Sequence, residues 1–475
     1  MTLDRDAQAV ALAAAMRADG QPDVAIDAFL RAWRRICAGE TGLLPETAIE
    51  PARDLPDAEG LGEDDALILA GEAALSGVAV VKLNGGLGTS MGMRGPKSLV
   101  EVRDGLCFLD LLARQVLALR RDHHADVPLL LMNSFATREA SLEHLRAYPE
   151  LGVPGLPLDF VQHRVPKIRA DDFGLVDPAD PRAWCPPGHG DLFPALLTSG
   201  VLDALRARGV HTLFVSNVDN LGATLDPALL GHFRASGAPM MMEVADRTVA
   251  DRKGGHLCQR REDGALVLRE LAQCPDADRG AFTDIRRHRY FNTNSLWFDT
   301  EALAAALHDH GGSLPLAPIV NRKTLDPNDP GSRPIIQLES AMGSAISELV
   351  GATAVRVPRR RFAPVKTTAD LLSLRSDRFM VDPRSGAIAR LGRNTIDIVL
   401  DGPYRTVDEL AAHFPAGVPS LIDADRLEIR GDVVFGADIE VHGDCTIEVM
   451  GDGTAHLTDG SRISGLLQLF DQAAD

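Results

Sequence analysis

Aromatic residues are scarce in this chain of 475: Phe, Trp and Tyr together make up 5% of it. So few rings give little material for a surface that stacks nucleic-acid bases. Positive charge is short as well. Forty-nine Lys and Arg stand against 67 Asp and Glu, a net of −18, so the surface as a whole repels phosphate polymers. Nucleic acid is therefore not an expected partner, and any phosphate chemistry must sit in a local pocket that outweighs the global field. Long apolar runs are missing too: none reaches the roughly 20 residues that cross a bilayer, so no membrane partner is expected. Asp4, Arg5, Asp6, Arg17 and Asp19 interrupt the first alanines, which suits an amphipathic helix and not a signal peptide. The six cysteines (Cys37, Cys107, Cys185, Cys258, Cys274, Cys445) show no C-x-x-C and no close His at zinc spacing. Free thiols in a reducing compartment follow, and the expected location is the cytoplasm.

What is present is the composition of a folded protein, 45% hydrophobic and 24% charged, too long for one core and so expected to form two or three domains. Residues 1 to about 40 carry Ala25, Phe29, Leu30, Trp33 and Ile36 at helical spacing and read as two helices. A Pro- and acid-rich strap from Leu44 to Asp65 follows. From Ser76 the pattern changes to short, near-continuous apolar runs, Ser76–Leu83, Val127–Met132 and Thr212–Val215. They alternate with helical stretches over Phe108–Arg121, from an Asn133-Ser134 cap through Leu145, and over Asp191–Arg208. Buried strands alternating with helices imply a doubly wound parallel α/β sheet, with ligands beyond the carboxyl ends of the strands. In the tail, Ile429, Phe435, Val441 and Ile447 recur every six residues, as do Leu427, Val433, Ile439 and Cys445, with Gly431, Gly436 and Gly443 between. That period marks a small parallel β-helix, expected to serve oligomerisation, with a monomeric cap as the alternative. The expected divisions are 1–65 (helical segment and strap), 66–380 (catalytic α/β domain), 381–419 (connection) and 420–475 (β-helix).

The chemistry centres on Asn84-Gly85-Gly86-Leu87-Gly88-Thr89-Ser90-Met91-Gly92, which follows a buried strand. Glycines let several N–H groups converge on one phosphate. The loop is not a P-loop, because Pro96 separates Gly95 from Lys97, and it is not a dinucleotide fingerprint, because Met91 stands where the third glycine belongs. Its continuation Arg94-Gly95-Pro96-Lys97-Ser98 adds a fixed turn and a cation.

Together these segments closely resemble the signature of the eukaryotic-type UTP–glucose-1-phosphate uridylyltransferases (UDP-glucose pyrophosphorylases). The likeness continues through Leu131–Phe135, Trp184–Asp191, Phe214–Asn220, Met242–Val244, Glu270–Gln273, Phe291–Asn294, Ile336–Glu339 and Pro364–Thr368, in the family's order from about Ser76 to Arg375. It implies a nucleotide-diphospho-sugar transferase domain of Rossmann-like type with a C-terminal left-handed parallel β-helix. The implied reaction joins UTP and glucose 1-phosphate into UDP-glucose and pyrophosphate, with Mg²⁺ as cofactor. A phosphate monoester is already largely a dianion at neutral pH. Such a reaction therefore asks for cations, a metal and fixed dipoles instead of a general base.

Residue by residue, the resemblance places Leu83, Asn84, Gly85 and Gly86 against the nucleotide, with Gly85 and Gly86 also near the sugar phosphate. Lys97 would contact the triphosphate, Gln162 the uracil edge, and Gly188 would lie under the base. His189 would touch the sugar phosphate. Asp219 would hold Mg²⁺, while Asn217 and Asn220 serve nucleotide and sugar hydroxyls. Glu270, Asn292 and Asn294 would line the sugar pocket, Asn292 with a turn or strand-capping role as its alternative. Lys366 would neutralise the α-phosphate opposite Lys97, so that Lys97, Lys366 and Asp219 form the catalytic set. Ser90 stands where the broader sugar nucleotidyltransferases commonly carry Arg, which points to the glucose-type branch. The run Arg356, Arg359, Arg360, Arg361 reads as a solvated face. Two other readings stay open: a UDP-sugar pyrophosphorylase of broader specificity, and an inactive UDP-sugar-binding regulator.

Overall fold

The computed structural model describes residues 4–327, 329–392 and 395–471. The outer ends of the expected segments 1–65 and 420–475, residue 328 of the catalytic segment and residues 393–394 of the connection lie outside the described residues.

Strand Val78–Asn84 is the centre of the main sheet. Val78 and Val80 face one side, Ala79 and Val81 the other, and all four are buried. Alternate side chains of a strand point opposite ways, so a run apolar at every position needs cover on both faces. Leu129–Asn133 and Thr212–Asn217 have the same character and flank it in parallel register, Val80 beside Leu129 and Phe214. Helices Phe108–His123 and Pro227–Ser236 fill the core on one face. Leu192–Thr198, Val201–Ala207 and Thr300–Asp309 fill it on the other.

The sheet differs from the expected all-parallel one. Its order runs 49–51, 256–260, 290–299, 212–217, 78–84, 129–133, 159–161. Tyr290–Asp299 lies antiparallel to Thr212–Asn217, and Met240–Asp246 lies antiparallel to it in turn. An antiparallel neighbour needs no helical crossover, and the chain between these two strands makes the excursion that carries Glu270. The expected helix Asp191–Arg208 is two helices, broken at Gly200, whose φ of 73° ends the first. The helix expected to start after Asn133-Ser134 begins at Arg138, because the Ser134 N–H donates to Thr137 Oγ1 (2.9 Å) in a turn of its own.

The two N-terminal helices are present, Arg5–Ala18 and Asp23–Cys37. Leu12, Met16, Phe29 and Trp33 pack on Val165, Ile168, Ile336 and Leu338. The strap is more than a surface strap: Ile49–Pro51 pairs with Cys258–Arg260 and covers the sheet's edge.

All eight residues of the six-residue period in the tail are buried. Strands 397–400, 424–430, 440–450 and 462–470 stack in one parallel ladder, and 433–435 pairs in parallel with 455–457. Leu427 sits beside Cys445 and Ile429 beside Ile447, each pair three periods apart. The hydrophobic period thus falls on strands that lie in parallel register. Leu427, Val433 and Phe435 belong to the same apolar core as Phe108 and Leu371, so the tail is packed into the main body.

Candidate active site

The parallel strands end together: Asn84 pairs with Asn133, and Asn217 with Leu83. The glycine loop leaves from that edge and returns on itself. Gly88 N–H donates to Gly95 O (3.3 Å), Met93 N–H to Gly88 O (3.0 Å) and Lys97 N–H to Gly86 O (3.1 Å). Space around Gly86 and Gly95 is open. A Cβ on Gly85 would lie 2.8 Å from Gln162 Nε2, and Gln162 itself is held by its backbone N–H on Asn133 O (2.8 Å). Gly85 and Gln162 are therefore brought together, and the side-chain amide of Gln162 keeps its donor and acceptor for a ligand. Leu83 is half-buried, and its carbonyl accepts from Val218 N–H. Asn84 differs from expectation in its side chain, which is buried and donates to Asn133 Oδ1 (2.7 Å) and Ser141 Oγ (2.8 Å). Only its backbone faces the loop.

The loop is closed by one ion pair. Lys97 Nζ lies 2.5 Å from Asp219 Oδ2, both side chains mostly shielded from solvent. Asp219 Oδ1 is buried and has no hydrogen-bond partner. A buried carboxylate oxygen with no donor calls for a cation, and a single carboxylate with room for phosphate oxygens is the donor set of Mg²⁺. The residues present fit that ion.

The segment that carries Lys366 is tied to the Asp219 turn through its backbone. Val365 N–H donates to Asp219 O (3.3 Å) and Pro364 bridges to Asn220. The Lys366 side chain is exposed at a cleft of about 820 Å³, shared with Phe362, Val365 and Asp370. Asn220 does not read hydroxyls as expected. It is 1% exposed, donates to Arg361 O (3.1 Å) and accepts from Ala363 N–H (3.0 Å). Both ends of its amide are spent on fixing the chain that leads to Lys366.

On the other side, Gly188 has a φ of 83° and a Cβ there would stand 2.5 Å from Ser340 O, so only glycine fits. His189 Nδ1 accepts from Met342 N–H (3.0 Å). A backbone N–H can only donate, so the proton of the neutral ring sits on Nε2, the nitrogen left for a ligand. Burial pushes this histidine down to about 4 and keeps it neutral. His163, next to Gln162, clasps Asp191 through Nδ1 (2.9 Å) and ties the Gln162 and His189 segments together.

Asn217 Oδ1 accepts from Asn294 Nδ2 (2.8 Å), and Asn294 N–H donates to Asn292 Oδ1 (2.9 Å). Asn294 has a φ of 60°, opposite a register shift at Glu243/Val244. A bulge of this kind re-aims a side chain. Here it leaves Asn294 Oδ1 buried without a donor, an acceptor that a substrate hydroxyl would satisfy. Asn292 Oδ1 thus makes the contact expected of its turn-forming alternative. Burial raises the pKa of Glu270, with the Lys366 charge acting against the rise.

The sequence reading missed the supports beneath these groups. Lys82 is buried, and its Nζ donates to Ser216 Oγ (2.7 Å) and Ala223 O (2.8 Å), bracketing the Asp219 turn. Burial pulls its pKa down to about 7. Its signal was visible: one lysine inside an apolar strand run. Glu243, fully buried, accepts two bonds from Arg361 (2.8 Å each) and one from Trp297 Nε1 (3.0 Å). The arginine run is accordingly not a solvated face. Arg361 is buried on Glu243, Arg356 pairs with Asp246 and Asp57, and Arg359 pairs with Asp251, leaving Arg360 on the surface with Glu59.

Comparison with known proteins agrees with this geometry. The family model for UTP–glucose-1-phosphate uridylyltransferase matches residues 28–442. The chain is 43% identical over 410 residues to the UTP–glucose-1-phosphate uridylyltransferase of Saccharomyces cerevisiae, covering 84% of this chain and 80% of that one. It is 39% identical over 414 residues to the probable enzyme of that name from Schizosaccharomyces pombe, covering 86% and 80%. Among solved structures, the UDP-glucose phosphorylase of Trypanosoma brucei superposes with a TM-score of 0.89 at 40% identity, over 97% of this chain and 99% of that one. A variant of UDP-glucose pyrophosphorylase from Leishmania major, solved in complex with UDP-glucose, gives 0.89 at 37% identity over 97% and 99%.

Proposed function

This chain belongs to the UTP–glucose-1-phosphate uridylyltransferase family, and on that premise we propose that it joins UTP and glucose 1-phosphate into UDP-glucose, releasing pyrophosphate. The observation that carries the mechanism is the Lys97–Asp219 pair with the orphaned Asp219 Oδ1, set at the mouth of the glycine loop. Asp219 is the residue to hold Mg²⁺, which when bound would supply charge stabilisation to the phosphates. Lys97 leaves Asp219 for the triphosphate as the nucleotide enters, an exchange of one anionic partner for another. The N–H groups of Gly85 and Gly86 receive phosphate oxygens, and Gln162 reads the uracil edge above Gly188.

Glucose 1-phosphate lies against His189, whose Nε2–H donates to its phosphate, and against Glu270 and Asn294, which read its hydroxyls. Asn292 holds Asn294 in its left-handed conformation, and Asn217 orients the Asn294 amide. The phosphate dianion attacks the α-phosphorus directly and the pyrophosphate leaves opposite. Lys366 neutralises the charge that develops on the α-phosphate. Asn220 is a positioning residue that sets Lys366.

For the rest of the chain, we read 66–380 as the catalytic domain, 1–65 as a brace on it, and 381–419 as the connection. We read 420–475 as a left-handed parallel β-helix with a face for a second copy. Among the described residues no helix is long and apolar enough to cross a membrane, and the six cysteines are all free; cytoplasmic residence fits both. The test is pyrophosphate release from UTP and Mg²⁺ with glucose 1-phosphate, beside galactose 1-phosphate, N-acetylglucosamine 1-phosphate and ATP controls. Release confined to UTP with glucose 1-phosphate is expected. Equal rates with several sugars would move the assignment to a broader UDP-sugar pyrophosphorylase.

A further inference from the structure

Away from the active site, two helices bring together three side chains of metal-ligand type. Cys107 stands at the N-cap of helix Phe108–His123, Asp110 lies in its first turn, and His144 lies near the end of helix Arg138–Leu145. Their ligand atoms all lie within 4.8 Å of one another. His144 Nε2 is 3.3 Å from Cys107 Sγ and 2.8 Å from Asp110 Oδ1.

The ring nitrogen and the thiol can both donate to the Asp110 carboxylate, so the three groups converge on one point. Thiol, carboxylate and imidazole are the ligand types of a soft divalent cation.

We propose that Cys107, Asp110 and His144 form a second metal site, for a thiophilic divalent cation of the zinc class, distinct from the Mg²⁺ position at Asp219. Thiolate and imidazole select such ions over Mg²⁺, which prefers oxygen. In tetrahedral sites with bonds of about 2.0–2.3 Å, neighbouring ligand atoms lie roughly 3.3–3.5 Å apart. The distances here are a few tenths of an ångström shorter, and a small outward movement of His144 supplies the difference. His144 is the one of the three that can move: its side chain is 34% exposed, and that of Asp110 9%. The same opening admits the ion and a water as fourth ligand. Outer support is already built. Tyr148 OH donates to Asp110 Oδ1 (2.8 Å) and Cys107 N–H to Asp110 Oδ2 (2.8 Å), bonds that orient a ligating carboxylate. Binding replaces the thiol proton: the Cys107 S–H bond breaks, a sulfur–metal bond forms, and one proton leaves to solvent per ion bound. The sequence separation of 37 between Cys107 and His144 explains why no zinc spacing shows in the sequence.

The test uses the full-length protein and Co²⁺ as a spectroscopic stand-in for Zn²⁺, with excess Mg²⁺ present. Wild type should take up one equivalent of Co²⁺ with tetrahedral visible bands and a near-ultraviolet thiolate-to-cobalt charge-transfer band, both erased by one equivalent of Zn²⁺. Cys107→Ser should lose the charge-transfer band. Serine is itself a strong N-cap, so this variant keeps the helix, and an unchanged circular dichroism spectrum checks that it does. His144→Ala should weaken Co²⁺ binding at least tenfold. No charge-transfer band in wild type, or an undiminished one in Cys107→Ser, overturns the proposal.

Discussion

The two halves of the active site are built differently. The proposed nucleotide half rests on the ends of three parallel strands, and its phosphate-binding part is close in sequence: Asn84, Gly85 and Gly86, then Lys97. The sugar half rests on the antiparallel pair 240–246 and 290–299 and on the segment 361–366, held by contacts between residues far apart in the chain. A parallel strand end with a glycine loop is a general device for phosphate, whereas reading the hydroxyls of one sugar needs side chains fixed from beneath. In this molecule the fixing is done by a left-handed Asn294, a bulge at Glu243/Val244, and the buried Glu243–Arg361 pair.

The comparison predicts the largest loss at the point the halves share. Asp219→Ala removes the carboxylate that Lys97 pairs with and that is placed to hold Mg²⁺. Turnover should fall by about 10³-fold or more, with the fold intact by circular dichroism. Activity within tenfold of wild type would break the assignment of Asp219 and with it the common centre of the two halves.

Next in size is a support of the sugar half. Arg361→Met leaves Glu243 buried and without its charge partner, which costs roughly 3–5 kcal/mol. Urea unfolding should show this as a lower midpoint. Glu243 and Arg361 also fix the strand under Asn294 and the chain leading to Lys366, so the KM for glucose 1-phosphate should rise more than that for UTP. Equal effects on the two substrates would erase the distinction drawn between the halves. Smaller again is Lys366→Ala. In the proposed mechanism its charge meets the negative charge that develops, so turnover should drop about 10²-fold while UTP binding changes much less. A parallel loss of UTP affinity would move Lys366 into ground-state binding.

The same division governs what could be read in the sequence. Ser76–Leu83, Val127–Met132 and Thr212–Val215 announce buried strands because they are apolar at nearly every position, and the glycine loop announces itself by residue type. In the tail, the parallel strands were legible because the hydrophobic period maps onto their register, Leu427 beside Cys445 and Ile429 beside Ile447. The antiparallel strand Tyr290–Asp299 was not, since Asn292, Thr293 and Asn294 interrupt its apolar pattern at the place where function needs them. Nor was the role of Asn220, or the buried state of Arg361. An ion pair between positions 243 and 361 leaves no local period to detect, and a run of four arginines looks like surface whenever its partners are distant.

Acid should distinguish the halves without any substitution in the catalytic set. His256 lies in the strand behind Glu270, fully buried, with neither ring nitrogen hydrogen-bonded, stacked 4.0 Å from His288. Burial, reinforced by His288, Arg247 and Arg269, pushes it down to about 2 from 6.5. The unfolded chain therefore binds a proton that the folded one refuses. This contribution to stability is complete above about pH 6.5 and shrinks as the pH falls towards 2. At pH 5 the loss from this one group is about 2 kcal/mol, and His256→Gln, which cannot take the proton, should show a shallower decline between pH 7 and pH 5. Because the strain sits behind the sugar half, hydrogen exchange at pH 5 should expose the amides of Leu257 and Leu268 before those of Val80 and Leu131. Simultaneous loss across both sets would mean that the two halves, although differently built, open as one cooperative unit.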